Sequence, residues 1–311
     1  MYEIYDDLSQ LLQKTHPYSN LPGFIDKLYE QIRNRLGNFF PIVRSWVAEG
    51  EYIEREWRGI YSIYYSKTFY KKTSPFVTRI HLLSEKVENI DLINDNNYIG
   101  YITLRPIPVD KCALSKIIVR PVKSTFGLKD EEQLFILSVP FKSHLGGREF
   151  EVNTFPFLNQ DSMATVCAHA DIIMMACYLH EQFPDEFPLL KIKDLFEISY
   201  QERYLPSRGI TAYQFTEILY RNDYNSFLKL FERGDIEKLV DFIDSQIESA
   251  LPVVLAFDGH VSLLIGHTLD KNGHKKYILY DDSGYHFRNA FNIADKPAFF
   301  AIITIDDLRR I

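Results

Sequence analysis

Apolar residues in the first forty positions recur at helical spacing. Ile4, Leu8, Leu11 and Leu12 share one helical face, and after Pro22 a second stripe runs through Phe24, Ile25, Leu28, Ile32 and Leu36. Past Trp57 the period shortens. Short runs rich in Tyr, Ile, Val and Thr, bounded by Gly, Pro or Asn, predict strands over 59–65, 77–83, 98–105, 115–121, 133–140 and 148–154. His144-Leu145-Gly146-Gly147 reads as the turn between the last two. Helices followed by a mainly antiparallel sheet make an α+β unit.

From Gln160 the rhythm changes again. Residues 163–182 are apolar on nearly every side, the mark of a helix buried inside a domain. Thr211 suits the N-cap of a helix with Phe215, Ile218 and Leu219 on its inner face. Another helix spans about 235–249 on Ile236, Leu239, Val240, Ile243 and Ile247, and Pro252 ends it. Strands follow at 252–257, 260–268, 276–281 and 297–305. With no internal repeat and no low-complexity linker, the chain divides softly near 150, into an N-terminal α+β domain (1–150) and a C-terminal domain (151–311).

Charge reinforces that division. Residues 1–150 hold 20 Lys and Arg against 18 Asp and Glu, or +2, and the remaining 15 against 24 give −9. An acidic C-terminal half argues against nucleic-acid binding there. The longest uninterrupted apolar run, Ile172 to Leu179, is far short of the roughly 20 residues a membrane span needs. Met1-Tyr2-Glu3-Ile4-Tyr5-Asp6-Asp7 lacks the basic and apolar regions of a signal peptide, so a cytoplasmic location is expected. Three cysteines, Cys112, Cys167 and Cys177, fit a reducing compartment and are too few for an all-cysteine zinc site.

Cys167 falls near the start of the apolar helix. Unpaired N–H groups and the positive end of the helix dipole favour a thiolate there, which is where a nucleophilic cysteine belongs. Cys177 suits a core position, and Cys112 has no base nearby in sequence. His260 heads a buried strand after a Gly-His turn, and Tyr277-Ile278-Leu279-Tyr280 ends in Asp281-Asp282. Two carboxylates at a buried strand end need a partner, and an imidazolium supplies one.

A helix-leading Cys, a strand-leading His with Gly six residues on, and Tyr-Ile-Leu-x-x-(Asn or Asp)-Ser together resemble the papain-like cysteine peptidases. Pro252-Val253-Val254, the Gly-His turn and Gly209-Ile210-Thr211 look most like the bacterial branch that processes double-glycine leader peptides. The resemblance covers about residues 155–311. It implies a papain-like C-terminal domain in which Cys167 attacks the carbonyl, His260 carries the proton, Asp282 orients His260, and Gln160 helps hold the oxyanion. Gln160 precedes Cys167 by seven residues, where the family usually has about six.

Strand parity leaves two orienting carboxylates open. A two-residue Asn272-Gly273 loop sets Asp281 opposite Leu264, and a three-residue Lys271-Asn272-Gly273 loop sets Asp282 opposite Ser262. Both put a carboxylate on the face of His260; the family spacing favours Asp282.

The resemblance implies acyl transfer at an amide through a thioester, with a peptide or protein as substrate and without metal or cofactor. An amine or thiol acceptor would make the enzyme a transferase. A catalytically dead binding module, or a protease gated by a partner of the N-terminal domain, are the other readings. His260, His267 and His274 recur every seven residues without converging on one point, which argues against zinc. The aromatic and basic run from Tyr61 to Lys72 reads as a strand with a solvated lysine edge. Gly146-Gly147 after Leu145 is better explained by a turn than by self-processing.

Overall fold

The computed structural model describes every residue except 1, 69–72, 109–111, 162, 198–209, 227, 233, 258–259, 283–298 and 309–311. Gly209, Gly259, Ser283 and part of the Tyr61–Lys72 run lie outside the described residues.

The N-terminal half runs β1 (Glu3–Tyr5), α1 (Leu8–Thr15), α2 (Phe24–Leu36), β2 (Ser45–Tyr52), α3 (Arg55–Ile63), β3 (Val77–Leu83), β4 (Tyr98–Leu104), β5 (Leu114–Val119), β6 (Gln133–Ile136), β7 (Val139–Leu145) and β8 (Arg148–Thr154). Then come β9 (Phe157–Leu158), α4 (Cys167–Gln182), α5 (Asp194–Glu197), α6 (Ala212–Arg221) and α7 (Ile236–Glu248). The C-terminal part is β10 (Val253–Phe257), β11 (His260–Leu269), β12 (Lys275–Tyr280), β13 (Phe300–Ile303) and α8 (Ile305–Leu308). The architecture is α+β with antiparallel sheets: one of order β1-β2-β3-β4-β5-β9, a second of order β10-β11-β12-β13, and the β7–β8 hairpin.

Successive residues of the first sheet point into different cores, which is why β3 and β4 are buried along nearly their whole length. Trp46, Ala48, Ile80 and Leu82 face α1, α2 and α4, whereas Val47, Leu83, Tyr98 and Ile118 pack with Leu145, Phe150 and Val152 of the β7–β8 hairpin. That hairpin closes on Gly146 and Gly147, both left-handed at φ +60° and +79°, as a two-residue turn matched to strand twist requires. A side chain at Gly146 would also meet Ile90 at 2.4 Å.

Some expectations need correction. Residues 59–65 are mostly helix, not strand. Trp57, Ile60 and Tyr65 are buried at helical spacing, and the β-rich composition hid that period. Ile4 sits in β1, paired with Val47, instead of in the first helix. The run 133–140 is two strands, β6 and β7, that join different sheets. The buried helix begins at Cys167, not at 163.

The division near residue 150 is crossed in both directions. β6 pairs with β11, setting Phe135 opposite His267, while β9 pairs with β5. Buried apolar residues from both sides form one core: Phe39 lies 5.6 Å from Phe299, ring to ring, and Phe157 lies 5.2 Å from it. Charge and periodicity changed near 150, but hydrogen-bonding partners are chosen by the fold as a whole.

Candidate active site

Asp161 builds the approach to Cys167. Its buried Oδ1 accepts the backbone N–H groups of Met163, Ala164 and Thr165 at 3.0, 2.9 and 2.7 Å, and the Thr165 hydroxyl at 3.0 Å. The Asp161 N–H in turn donates to Thr165 Oγ1 at 2.9 Å. This local turn fixes the segment that ends at extended Val166, so that Cys167 begins α4. Arg105, itself fully buried, holds the preceding strand by donating to the Asn159 carbonyl at 2.6 Å.

His260 begins β11. Its Nε2 lies 2.9 Å from Asp281 Oδ1, and both side chains are buried. With Nε2 committed to Asp281, Nδ1 is the nitrogen left for the Cys167 sulfur. The structure therefore gives the direct bond to Asp281, in place of Asp282. The register explains why. The hairpin does use a three-residue loop, with the Asp270 N–H donating to the His274 carbonyl at 3.1 Å and Gly273 left-handed at φ +81°. That loop pairs Gly266 with Ile278, and by itself would place Asp282 opposite Ser262. A bulge between Leu264 and Gly266 then slips the register by one, to Leu264–Leu279 and Leu263–Tyr280. Continued one step, this sets Asp281 opposite Ser262, on the face of His260. Gly266 permits the close packing beside the bulge: a Cβ there would lie 2.1 Å from the Phe135 carbonyl oxygen of β6.

Burial opposes a charged imidazole, yet hydrogen bonding to Asp281 and to Cys167, with their charges, raises His260 to about 10. Near neutral pH the ring is an imidazolium between a carboxylate and a sulfur. Two further carboxyls crowd this pair. Asp282 is raised to about 7, by burial first and then by Asp281. Asp171, one helical turn after Cys167, is raised well above the usual carboxylate range, by burial first and then by Asp282, Cys167 and Asp281. All four carboxylate oxygens of Asp171 and Asp282 are buried without a hydrogen-bond partner. The ligand atoms of His260, Asp281 and Asp282 lie within 4.8 Å of one another.

Residues from the N-terminal half hold this arrangement. Arg35, in the last turn of α2, donates to the Asp281 carbonyl at 3.3 Å and to the Asp282 carbonyl at 2.5 Å, and its own carbonyl accepts the Phe299 N–H at 2.9 Å. Arg35 and Arg105 thus grip the two sides of the site, the acid-bearing strand end and the approach to Cys167. Sequence reading missed both, along with Asp161 and Asp171. The Cys167-x-x-x-Asp171 spacing, which puts the two on one helix face, was the available signal.

Gln160 is half-buried just after β9 and makes no hydrogen bond to Cys167 or His260. Asp161, six residues before Cys167, instead anchors the loop. His267 pairs with Glu248 at 2.9 Å and His274 with Asp270 at 3.0 Å, each away from His260. At the far end of α4, Cys177 lines a cavity of about 210 Å³ with Glu54, Glu56 and Lys116. Burial pushes its thiol up to about 11. The acids there are satisfied internally: Glu56 by Lys116 at 2.7 Å and Arg55 at 2.9 Å, Glu54 by Ser115 and Thr103. That cluster is structural.

No described helix is long and apolar enough to cross a membrane. No family model matches the chain, and neither a curated protein nor a solved structure matches it.

Proposed function

We propose that the chain is a papain-like cysteine peptidase that cleaves a peptide or protein substrate through a thioester. The reading is carried by the order Cys167–His260–Asp281: a helix-leading thiol and a buried carboxylate on the two sides of one imidazole. In this mechanism Cys167 Sγ attacks the substrate carbonyl, and His260 hands a proton to the leaving amine. The imidazole, then neutral, draws a proton from water, which attacks the thioester and releases the acid. Asp281 keeps Nε2 occupied, so that Nδ1 is the nitrogen that exchanges the proton. The developing oxyanion would be held by the backbone N–H of Cys167 at the helix start, with Gln160 as the side-chain donor once substrate orders it. Contacts of Arg35 with both acid carbonyls support gating through the N-terminal half.

The test is incubation of the full chain with a proteome-derived peptide library, read by mass spectrometry. Wild type should generate new termini that Cys167→Ala and His260→Ala, both folded by circular dichroism, do not. Cleavage retained by Cys167→Ala would refute the proposal.

A further inference from the structure

We propose that His260, Asp281 and Asp282 form a binding site for a zinc-class divalent cation, and that an ion there switches off the thiol chemistry. The site does not depend on the peptidase reading; the switch rests on it.

The first observation is convergence. One imidazole nitrogen and two carboxylate oxygens, from the start of β11 and the end of β12, lie within 4.8 Å of one another. Zinc bonds of about 2.0–2.2 Å place tetrahedral ligands roughly 3.3 Å apart. The His260 Nε2 to Asp281 Oδ1 separation, 2.9 Å, is already near that edge, and side-chain rotation closes the rest.

The second observation is an unmet need. Asp282 is 1% exposed and neither of its oxygens has a partner. Buried polar groups are normally satisfied, and an orphaned carboxylate costs several kcal/mol. Arg35 does not answer it: the guanidinium donates to the two backbone carbonyls and leaves both carboxylate oxygens of Asp282 without a partner.

The donor set selects the ion. An imidazole nitrogen with two carboxylates suits zinc and its first-row neighbours, whereas magnesium and calcium prefer oxygen-only shells. The Arg35 bonds fix the backbone beneath both acids, the outer support that metal ligands generally have.

The consequence follows from the ring. Binding at Nε2 displaces the Nε2 proton to solvent and breaks the bond to Asp281. The remaining proton then sits on Nδ1, and the ring is no longer an imidazolium. The sulfur then has a neutral, zinc-bound ring beside it in place of the imidazolium whose charge favours thiolate chemistry.

The experiment uses the full chain freed of metal with a chelator. Zinc binding is measured by calorimetry for wild type, Asp282→Asn, Asp281→Asn and Cys167→Ala, each checked for folding by circular dichroism. In parallel, alkylation of Cys167 by iodoacetamide is followed by mass spectrometry with and without zinc. One ion should bind per wild-type chain. Affinity should fall at least tenfold in either Asn variant and stay within about twofold in Cys167→Ala. Zinc should slow wild-type alkylation at least tenfold, reversibly with chelator, and slow it far less in Asp282→Asn. Absence of one-to-one binding, or binding lost in Cys167→Ala but kept in Asp282→Asn, overturns the site. Binding that leaves alkylation unchanged overturns the switch. A Cys167 no more reactive than a free thiol without zinc overturns the peptidase reading and leaves the ion site standing.

Discussion

Replacing Asp281 by Asn should damage activity far more than replacing Asp282. His260 stands at about 10 instead of 6.5, a preference for the imidazolium on the order of 5 kcal/mol that Asp281 and Cys167 share against burial. If Asp281 supplies about half, its loss weakens imidazolium formation by roughly 10²-fold. Loss of ring orientation and tautomer brings the total toward about 10⁴, the scale seen when a triad loses its carboxylate. Asp282 makes no hydrogen bond to the ring and stands at about 7, so at pH 6 it is mostly protonated already. Asp282→Asn should therefore change turnover at pH 6 by no more than about threefold. The assay is turnover of a cleaved peptide at pH 6 for both variants, with calorimetric unfolding as the control for folding. Greater damage from Asp282→Asn would mean that the bulge between Leu264 and Gly266 does not set the register in solution. Equal, full activity in both would remove the carboxylate from the mechanism.

Arg35→Met keeps the length of the side chain but removes two charge-assisted hydrogen bonds to the Asp281 and Asp282 carbonyls. It should lower kcat by about 10- to 100-fold with little change in KM, because it loosens the proton-carrying side of the site; an unchanged kcat would show that α2 does not position the acids. Stability should respond to pH with an unusual sign. Asp282 and Asp171 are raised, so the stability they contribute is present at acid pH and is lost as pH rises, for Asp282 through about 7. His260, also raised, loses its contribution between 6.5 and about 10. Glu56, lowered to about 2 by Lys116 and Arg55 against burial, contributes above 4.5 and loses it as pH falls through about 2. The two Asp residues begin to lose their contribution above 3.8 and Glu56 loses its own below 4.5, so thermal unfolding should give the highest Tm near pH 4; a Tm that rises steadily to pH 8 would contradict these assignments.

Most of the long strands and helices were legible because each has one clear period. β3 matches 77–83 and β8 matches 148–154, and Thr211 caps α6 through a reciprocal bond with Gln214. Cys167 and His260 were legible because a helix start and a strand start announce themselves locally. The identity of the acid was not. The three-residue loop is a local signal that points to Asp282, whereas the bulge that moves the bond to Asp281 lies where β6, 130 residues away in the chain, packs its Phe135 carbonyl over Gly266. The support from Arg35 and Arg105 was hidden for the same reason. The carbonyls by which they hold the site, those of Asp281, Asp282 and Asn159, are more than fifty residues away, and a carbonyl leaves no trace in the sequence. β2 escaped notice because Ala48, Glu49 and Gly50 are poor strand formers, and pairing on both edges overrides that weakness.

The proposed peptidase chemistry requires an activated Cys167, and the rate at which that thiol is alkylated measures it directly. The full chain is treated with limiting iodoacetamide at pH 7, free of metal, and modification at each of the three cysteines is followed by peptide mass spectrometry. Cys167 should react at least tenfold faster than Cys112 and Cys177, whose thiols are raised chiefly by burial, and His260→Ala should abolish that advantage. A Cys167 that reacts no faster than the other two, or whose rate is indifferent to His260→Ala, would contradict the assignment of this site as a thiol active centre.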